Sequence, residues 1–173
     1  MKIFELICMA LLFILSITTA ELPQKSKEEK KAFDDADFVK SAFAESKQDL
    51  ELGKLAMMMG SHSEVKKIGE QFSTEHSKIC EDLKTLAGSE KFPLIEKLSS
   101  EQQQEYDQYK SLARDKFDKE FVQRMIKTHE QDIEKYNQVI KDSQNVKLKE
   151  FAERTLPVLK DHLKQLRKIG TRD

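Results

Sequence analysis

Four stretches of this chain repeat one pattern. Apolar residues recur at alternating spacings of four and three, the rhythm of a single buried helix face, and each stripe is broken near its middle by a polar residue. The first stripe is Phe38, Ala42, Glu45, Asp49, Leu52, Ala56, Met59. The second is Val65, Gly69, Phe72, His76, Ile79, Leu83, Leu86. The third is Val122, Ile126, His129, Ile133, Tyr136, Ile140, widened by Phe117, Phe121 and Met125. The last is Leu148, Phe151 with Ala152, Leu156, Leu159, Leu163 and Leu166, with His162 on the same face. Four such stripes cannot be buried separately. They call for an all-α bundle in which each helix hides its stripe against the others. The composition agrees: only 5 Gly and 3 Pro in 173 residues, with 35% charged residues, disfavours a strand-rich fold.

Local signals set the helix limits. Asp34 or Asp35 can cap a first helix over 35–60. Gly60-Ser61-His62-Ser63 is a tight connection, and Ser61 to Glu64 matches a capping box for a second helix over 64–87, with Gly88 as its stop. A long connection follows over residues 88–116, and Ser99-Ser100-Glu101 opens a short helix within it that ends near Ala113. The third long helix is predicted from about 115–118 to 142 and the fourth from about 146 to 168. Pro157 should bend the fourth, because proline removes a hydrogen bond and crowds the carbonyl of Glu153. Two short hairpins and one long crossover describe a ferritin-like four-helix bundle, with a short extra helix in the crossover between helices two and three. A plain up-down bundle with an inserted helix is the alternative.

The first 20 residues read differently. Lys2 precedes the apolar run from Leu6 to Ile17, and Thr18-Thr19-Ala20 is a small-residue exit, the layout of a secretory signal peptide. The run is short for a membrane span, which needs roughly 20 apolar residues. The expectation is an exported protein, periplasmic or secreted, with no membrane span in the mature chain; an uncleaved N-terminal anchor is the alternative. Residues 21–33 form a charged spacer, residues 34–169 the bundle, and residues 170–173 a tail. Beyond the leader one cysteine is left, Cys80, so no internal disulfide can form and a packed thiol is expected. A net charge of −1 with mixed signs gives no basic face for nucleic acid. No protein partner or small molecule is indicated.

The breaks in the stripes carry the functional reading. Counted from the first hairpin, Asp49 lies about 12–13 residues away and His76 about 14–15, so at ~1.5 Å per residue they stand within about 3 Å in depth. His129 and His162 are level in the same way about the second hairpin. Brought together by the crossover, Glu45, Asp49, His76, His129 and His162 would share one layer. Three imidazoles with one or two carboxylates form a candidate site for one transition metal ion, with Fe, Zn, Mn and Cu all compatible. The carboxylates could also accept the outer N–H of a ligating histidine. The competing reading is a non-catalytic structural or protein-interaction module of the cell envelope, in which the polar layer only fixes helix register. Di-iron bundles carry Glu-x-x-His on two helices. Here Ser73, Ile126 and Leu159 occupy the position three before each histidine, which argues for a mononuclear site and against ferroxidase chemistry. Glu75, Glu130 and Asp161 flank the histidines at about 100° from the stripe, which suits solvated or supporting roles. Met57, Met58 and Met59 near His62 are read as packing residues. A metalloenzyme would need an open coordination position, which sequence does not display. No nucleophile–base pair, glycine-rich phosphate loop or Cys-x-x-Cys is present.

Several local patterns together resemble a family of exported bacterial proteins grouped as domain of unknown function 4142. They are Asp37-Phe38-Val39, the run from Asp49 to Ala56, Glu75-His76, Phe117-Asp118 with Phe121, His129-Glu130, the run from Leu148 to Ala152, and the run from Leu156 to Leu163. The resemblance covers about residues 34–169 and implies a ferritin-like fold and export. It implies no activity. Where the family pattern usually has Glu this chain has Asp49, a shorter reach to any ion, and Glu45 one turn away could substitute; where it often has Met this chain has Phe72.

Overall fold

The computed structural model describes residues 33–171. The expected leader at 1–20, all of the expected spacer except Phe33, and the last two residues of the expected tail lie outside the described residues. Five helices follow one another: α1 (Asp35–Met59), α2 (Ser63–Glu90), α3 (Ser100–Ser111), α4 (Arg114–Asp142) and α5 (Val146–Gly170), with no strand among the described residues. The four long helices are those expected, and α3 is the extra helix of the crossover. The long helices stand in a square, α1 against α2, α2 against α5, α5 against α4 and α4 against α1. The turn at Ser61 and His62 meets Asp118 in the first turns of α4, while Glu90 at the far end of α2 meets Asn145 and Lys147 beside the second hairpin. The segment from 91 to 113 therefore runs the length of the bundle, and α2 and α4 are parallel.

The apolar core has two parts. One gathers Phe38, Phe43, Leu83, Tyr136, Leu148 and Phe151 with their neighbours, and the other gathers Leu52, Ile68, Phe72, Phe117, Phe121, Met125 and Leu166. Each long helix also buries a polar residue, Asp49, His76, His129 and His162, and the three histidines pack on Phe72 of the second part. The hairpin α1–α2 is drawn tight by two glycines. A Cβ on Gly53 would stand 2.8 Å from Phe72 Cβ and 2.9 Å from the Gly69 carbonyl, and one on Gly69 would stand 2.7 Å from the Gly53 carbonyl. The helix backbones meet there, and Phe72 is pressed toward the histidines.

Several local expectations are revised. The capping box from Ser61 to Glu64 does not close α2. His62 is its N-cap, and Asp118 of α4 takes the exposed donors instead, accepting from the backbone N–H of Ser61 and His62 and pairing with His62 Nδ1 at 2.7 Å. A carboxylate at a helix start is also favoured by the helix dipole. At the other end α2 runs through Gly88 to Glu90. Lys91 takes the left-handed conformation (φ 59°), and the Phe92 N–H bonds the Ala87 carbonyl at 2.9 Å. This Schellman closure is favoured by Phe92 packing on the core beside Ala87, which outweighs the missing glycine. In α4 the buried line is Phe121, Met125, His129, Asp132, Tyr136 and Val139, with Ile126, Ile133 and Ile140 half-buried beside it. Asp132 is buried within this line, with Lys135 one turn on at 3.3 Å. As expected, α5 contains Pro157, which is exposed. Phe33, at the end of the spacer, packs against Phe38.

Candidate metal centre

The three histidines come from α2, α4 and α5, and all are essentially buried, at 1%, 0% and 0% exposure. One ring nitrogen of each lies within 4.8 Å of the corresponding nitrogen of the others. Phe72 sets their rings. It stacks on His129 at 5.0 Å and 15°, and its centroid lies 4.5 Å from His162 and 5.5 Å from His76.

Hydrogen bonds decide which nitrogens face inward. His129 Nδ1–H donates to the Met125 carbonyl at 2.9 Å, one helical turn back. This leaves Nε2 of His129 as a lone pair. His162 Nε2–H donates to Glu75 Oε2 at 2.7 Å, which leaves Nδ1 of His162 as a lone pair. Those two lone pairs confront one another at 3.2 Å. A proton between them is disfavoured: burial, and then His162, pushes His129 down to about 3, and burial also lowers His162 against the pull of Glu75. His76 is likewise held well below its usual range, by burial and then by the other two histidines, and neither of its ring nitrogens has a hydrogen-bond partner. Each such orphan costs on the order of 1–3 kcal/mol.

Asp49 stands beside the three histidines without being grouped with them. Its Oδ1 accepts from Arg124 Nη1 at 2.8 Å, and its Oδ2 has no partner and stands 3.9 Å from His76 Nε2. Burial raises Asp49 to about 6, with Arg124 opposing, so it is ionised at neutral pH. The depths inferred from the helix rise are therefore realised for Asp49 with His76 and for His129 with His162. Glu45 lies elsewhere. Its Oε1 accepts from Lys135 Nζ at 2.6 Å on the half-exposed side of α1, so it is not among the grouped donors.

Two supporting residues differ in how visible they were. Glu75 follows from its place beside His76, off the stripe, although its partner is His162. Arg124 was not singled out; only the tertiary structure brings its guanidinium between Asp49 and Glu105, whose Oε1 accepts from Nε at 2.7 Å. Glu130 and Asp161 turn outward, to Arg167 and Gln165. Met57 and Met58 are exposed, at 43% and 68%, and Met59 alone of the three packs on the core. Cys80 is a buried free thiol, pushed by burial up to about 11, consistent with packing.

Imidazoles oriented by a backbone carbonyl and a carboxylate, with inner lone pairs converging beside an ionised carboxylate, are a donor set suited to a divalent transition metal. On a tetrahedral ion with bonds of about 2.0–2.1 Å, ligand atoms stand roughly 3.4 Å apart. The 3.2 Å and 3.9 Å separations bracket that figure, while the three histidine nitrogens as a group lie within 4.8 Å, so they would draw in around an ion. The family model described as "Domain of unknown function (DUF4142)" matches residues 20–169. No curated protein and no solved structure matches the chain.

Proposed function

The chain belongs to the DUF4142 family, whose description names no activity, and we propose that it is a metal-binding helical bundle. It holds one divalent transition-metal ion on His76 and on the inner nitrogens of His129 and His162, with Asp49 Oδ2 as the fourth ligand. One observation carries this reading: Nε2 of His129 and Nδ1 of His162 face each other at 3.2 Å in the buried core, next to a His76 whose ring nitrogens have no hydrogen-bond partner among the described residues. A layer built only to fix register would pair these groups with one another. A cation between them turns the repulsion into attraction.

Charge supports a divalent ion. With the imidazoles neutral, Asp49, Glu75 and Glu105 stand against Arg124, so three carboxylates and one guanidinium leave two negative charges for the ion to balance. Asp132 stays protonated at neutral pH, since burial and then Glu45 push it up to about 8. Glu45 and Lys135 neutralise each other. Four protein ligands would fill a tetrahedral ion, which makes this a holding site and not an open catalytic one. The apolar run from Leu6 to Ile17 and the small-residue exit after it support a location outside the cytoplasm, periplasmic or secreted.

The test is elemental analysis of tag-free protein exported to the periplasm, beside the double variant His76→Ala, His129→Ala. Near-stoichiometric metal in the native protein and its loss in the variant are expected. If the native protein takes up no Zn, Mn, Fe or Cu after incubation with their salts, the layer is structural and the proposal fails.

A further inference from the structure

A divalent ion has to reach donors that are fully enclosed. Stripping an ion of water to cross an apolar wall costs many kcal/mol, so the route must be polar. At the level of the histidines the side between α1 and α4 is bridged by polar chains: Glu45, Gln48 and Asp49 from α1, and Arg124, Asp132 and Lys135 from α4. Helix α3 lies over this side. None of its residues is buried, and Tyr106 and Tyr109, with Leu112 just beyond its end, give it a partly buried apolar edge. Its other attachment is polar. Gln102 Nε2 donates to the Ala44 carbonyl at 2.9 Å and to Gln48 Oε1 at 3.2 Å. Glu105 accepts from both Gln48 and Arg124. From Glu105 the contacts run inward through Arg124 to Asp49 at 2.8 Å, and from Asp49 to His76 at 3.9 Å.

We infer that cations enter the histidine cluster through the polar seam between α1 and α4, and that the crossover helix α3 is the cover of that seam, clasped by Glu105 on Arg124 and Gln48. The inference rests on the metal-binding reading. Asp49 offers a carboxylate inside the seam, so an ion meets an anionic group once Arg124 has swung away with α3. An element without buried residues opens at far lower free energy than the four long helices. Glu75 does not offer an equivalent path. It binds the outer nitrogen of His162, so the imidazole ring stands between it and the converging lone pairs.

Co(II) uptake and release by the tag-free protein, followed by stopped-flow absorbance, tests the route. Glu105→Gln keeps the side-chain shape and removes the charge that holds Arg124; both rates should rise at least fivefold. In the pair Gln48→Cys, Glu105→Cys, bridging the two thiols with a bis-methanethiosulfonate cross-linker should slow uptake at least tenfold, and reductant should restore it. Cys80, buried and with a raised pKa, should not compete in the exchange. Equal rates in bridged and reduced forms, or acceleration by Glu75→Gln in place of Glu105→Gln, would overturn the route while leaving the site intact. A native protein that binds no Co(II) would overturn both the site and the route.

Discussion

His76 is the least satisfied residue of the core. It is enclosed by Phe72, His129 and His162, its two ring nitrogens have no hydrogen-bond partner, and burial holds it neutral. In metal-free protein it is a cost; on an ion it becomes a ligand. His76→Leu is therefore expected to stabilise the chelator-treated protein by about 1–3 kcal/mol, because it removes orphaned polar atoms. The same variant should lose the stabilisation that added metal confers on the native protein, which grows with the logarithm of ion concentration over its Kd. Thermal melts with and without chelator compare the two. A lower melting point for the variant in chelator would mean that the nitrogens are satisfied in solution and that the orphan argument is wrong.

At the scale of elements, the hairpin α1–α2 does more for the site than its lack of ligand symmetry suggests. The mutual approach of Gly53 and Gly69 brings Phe72 onto the histidine rings. Alanine is the better helix former by about 1 kcal/mol. Gly53→Ala should nevertheless destabilise the protein by about 1–2 kcal/mol, because its Cβ meets Phe72 Cβ and backbone at under 3.0 Å and overpacking commonly costs 1–3 kcal/mol. Gly88→Ala is the control. It is inside the same hairpin's second helix with nothing within 4 Å of the added carbon, so it should gain about 0.5–1 kcal/mol. Urea titrations of both variants give the comparison. A gain at both positions would show that the hairpin can open without cost.

At the scale of the molecule, the buried ionisable groups predict a stability maximum near pH 6.5 in metal-free protein. His76, His129 and His162 are lowered from 6.5 by burial, so below that pH the unfolded chain binds more protons and acid destabilises the fold. Asp49 and Asp132 act in the opposite sense. Burial raises them from 3.8 to about 6 and about 8, so the folded chain holds protons that the unfolded chain has released. Between pH 3.8 and 6 His76 and His129 offset the two aspartates, and the lowering of His162 tips the balance, so stability falls on acidification. From 6.5 to 8 Asp132 acts alone, and stability falls as pH rises. Urea midpoints at pH 5, 6.5 and 8.5 should trace the peak, and Asp132→Asn should flatten its alkaline side. A midpoint that climbs steadily from pH 5 to 8.5 would contradict these assignments.

What the sequence determined by itself was the periodic part of this protein. Helix number, helix limits to within a few residues, the two hairpins and the depth of Asp49, His76, His129 and His162 all follow from the 4,3 spacing and the fixed helix rise, which are local quantities. The same rise could not tell Glu45 from Asp49, because residues one turn apart share a face and only the neighbouring helix decides which one is buried. The tertiary structure gave Asp49 to Arg124 and His76, and Glu45 to Lys135. It also put Asp118 on the start of α2 from 56 residues away and closed α2 on Lys91, not Gly88. Partners of this kind, together with the Glu75 bond to His162 and the clasp of α3 on Arg124, join residues far apart in the chain. Side-chain pairing across helices depends on rotation about each helix axis, and that is settled by the packing of all four helices together.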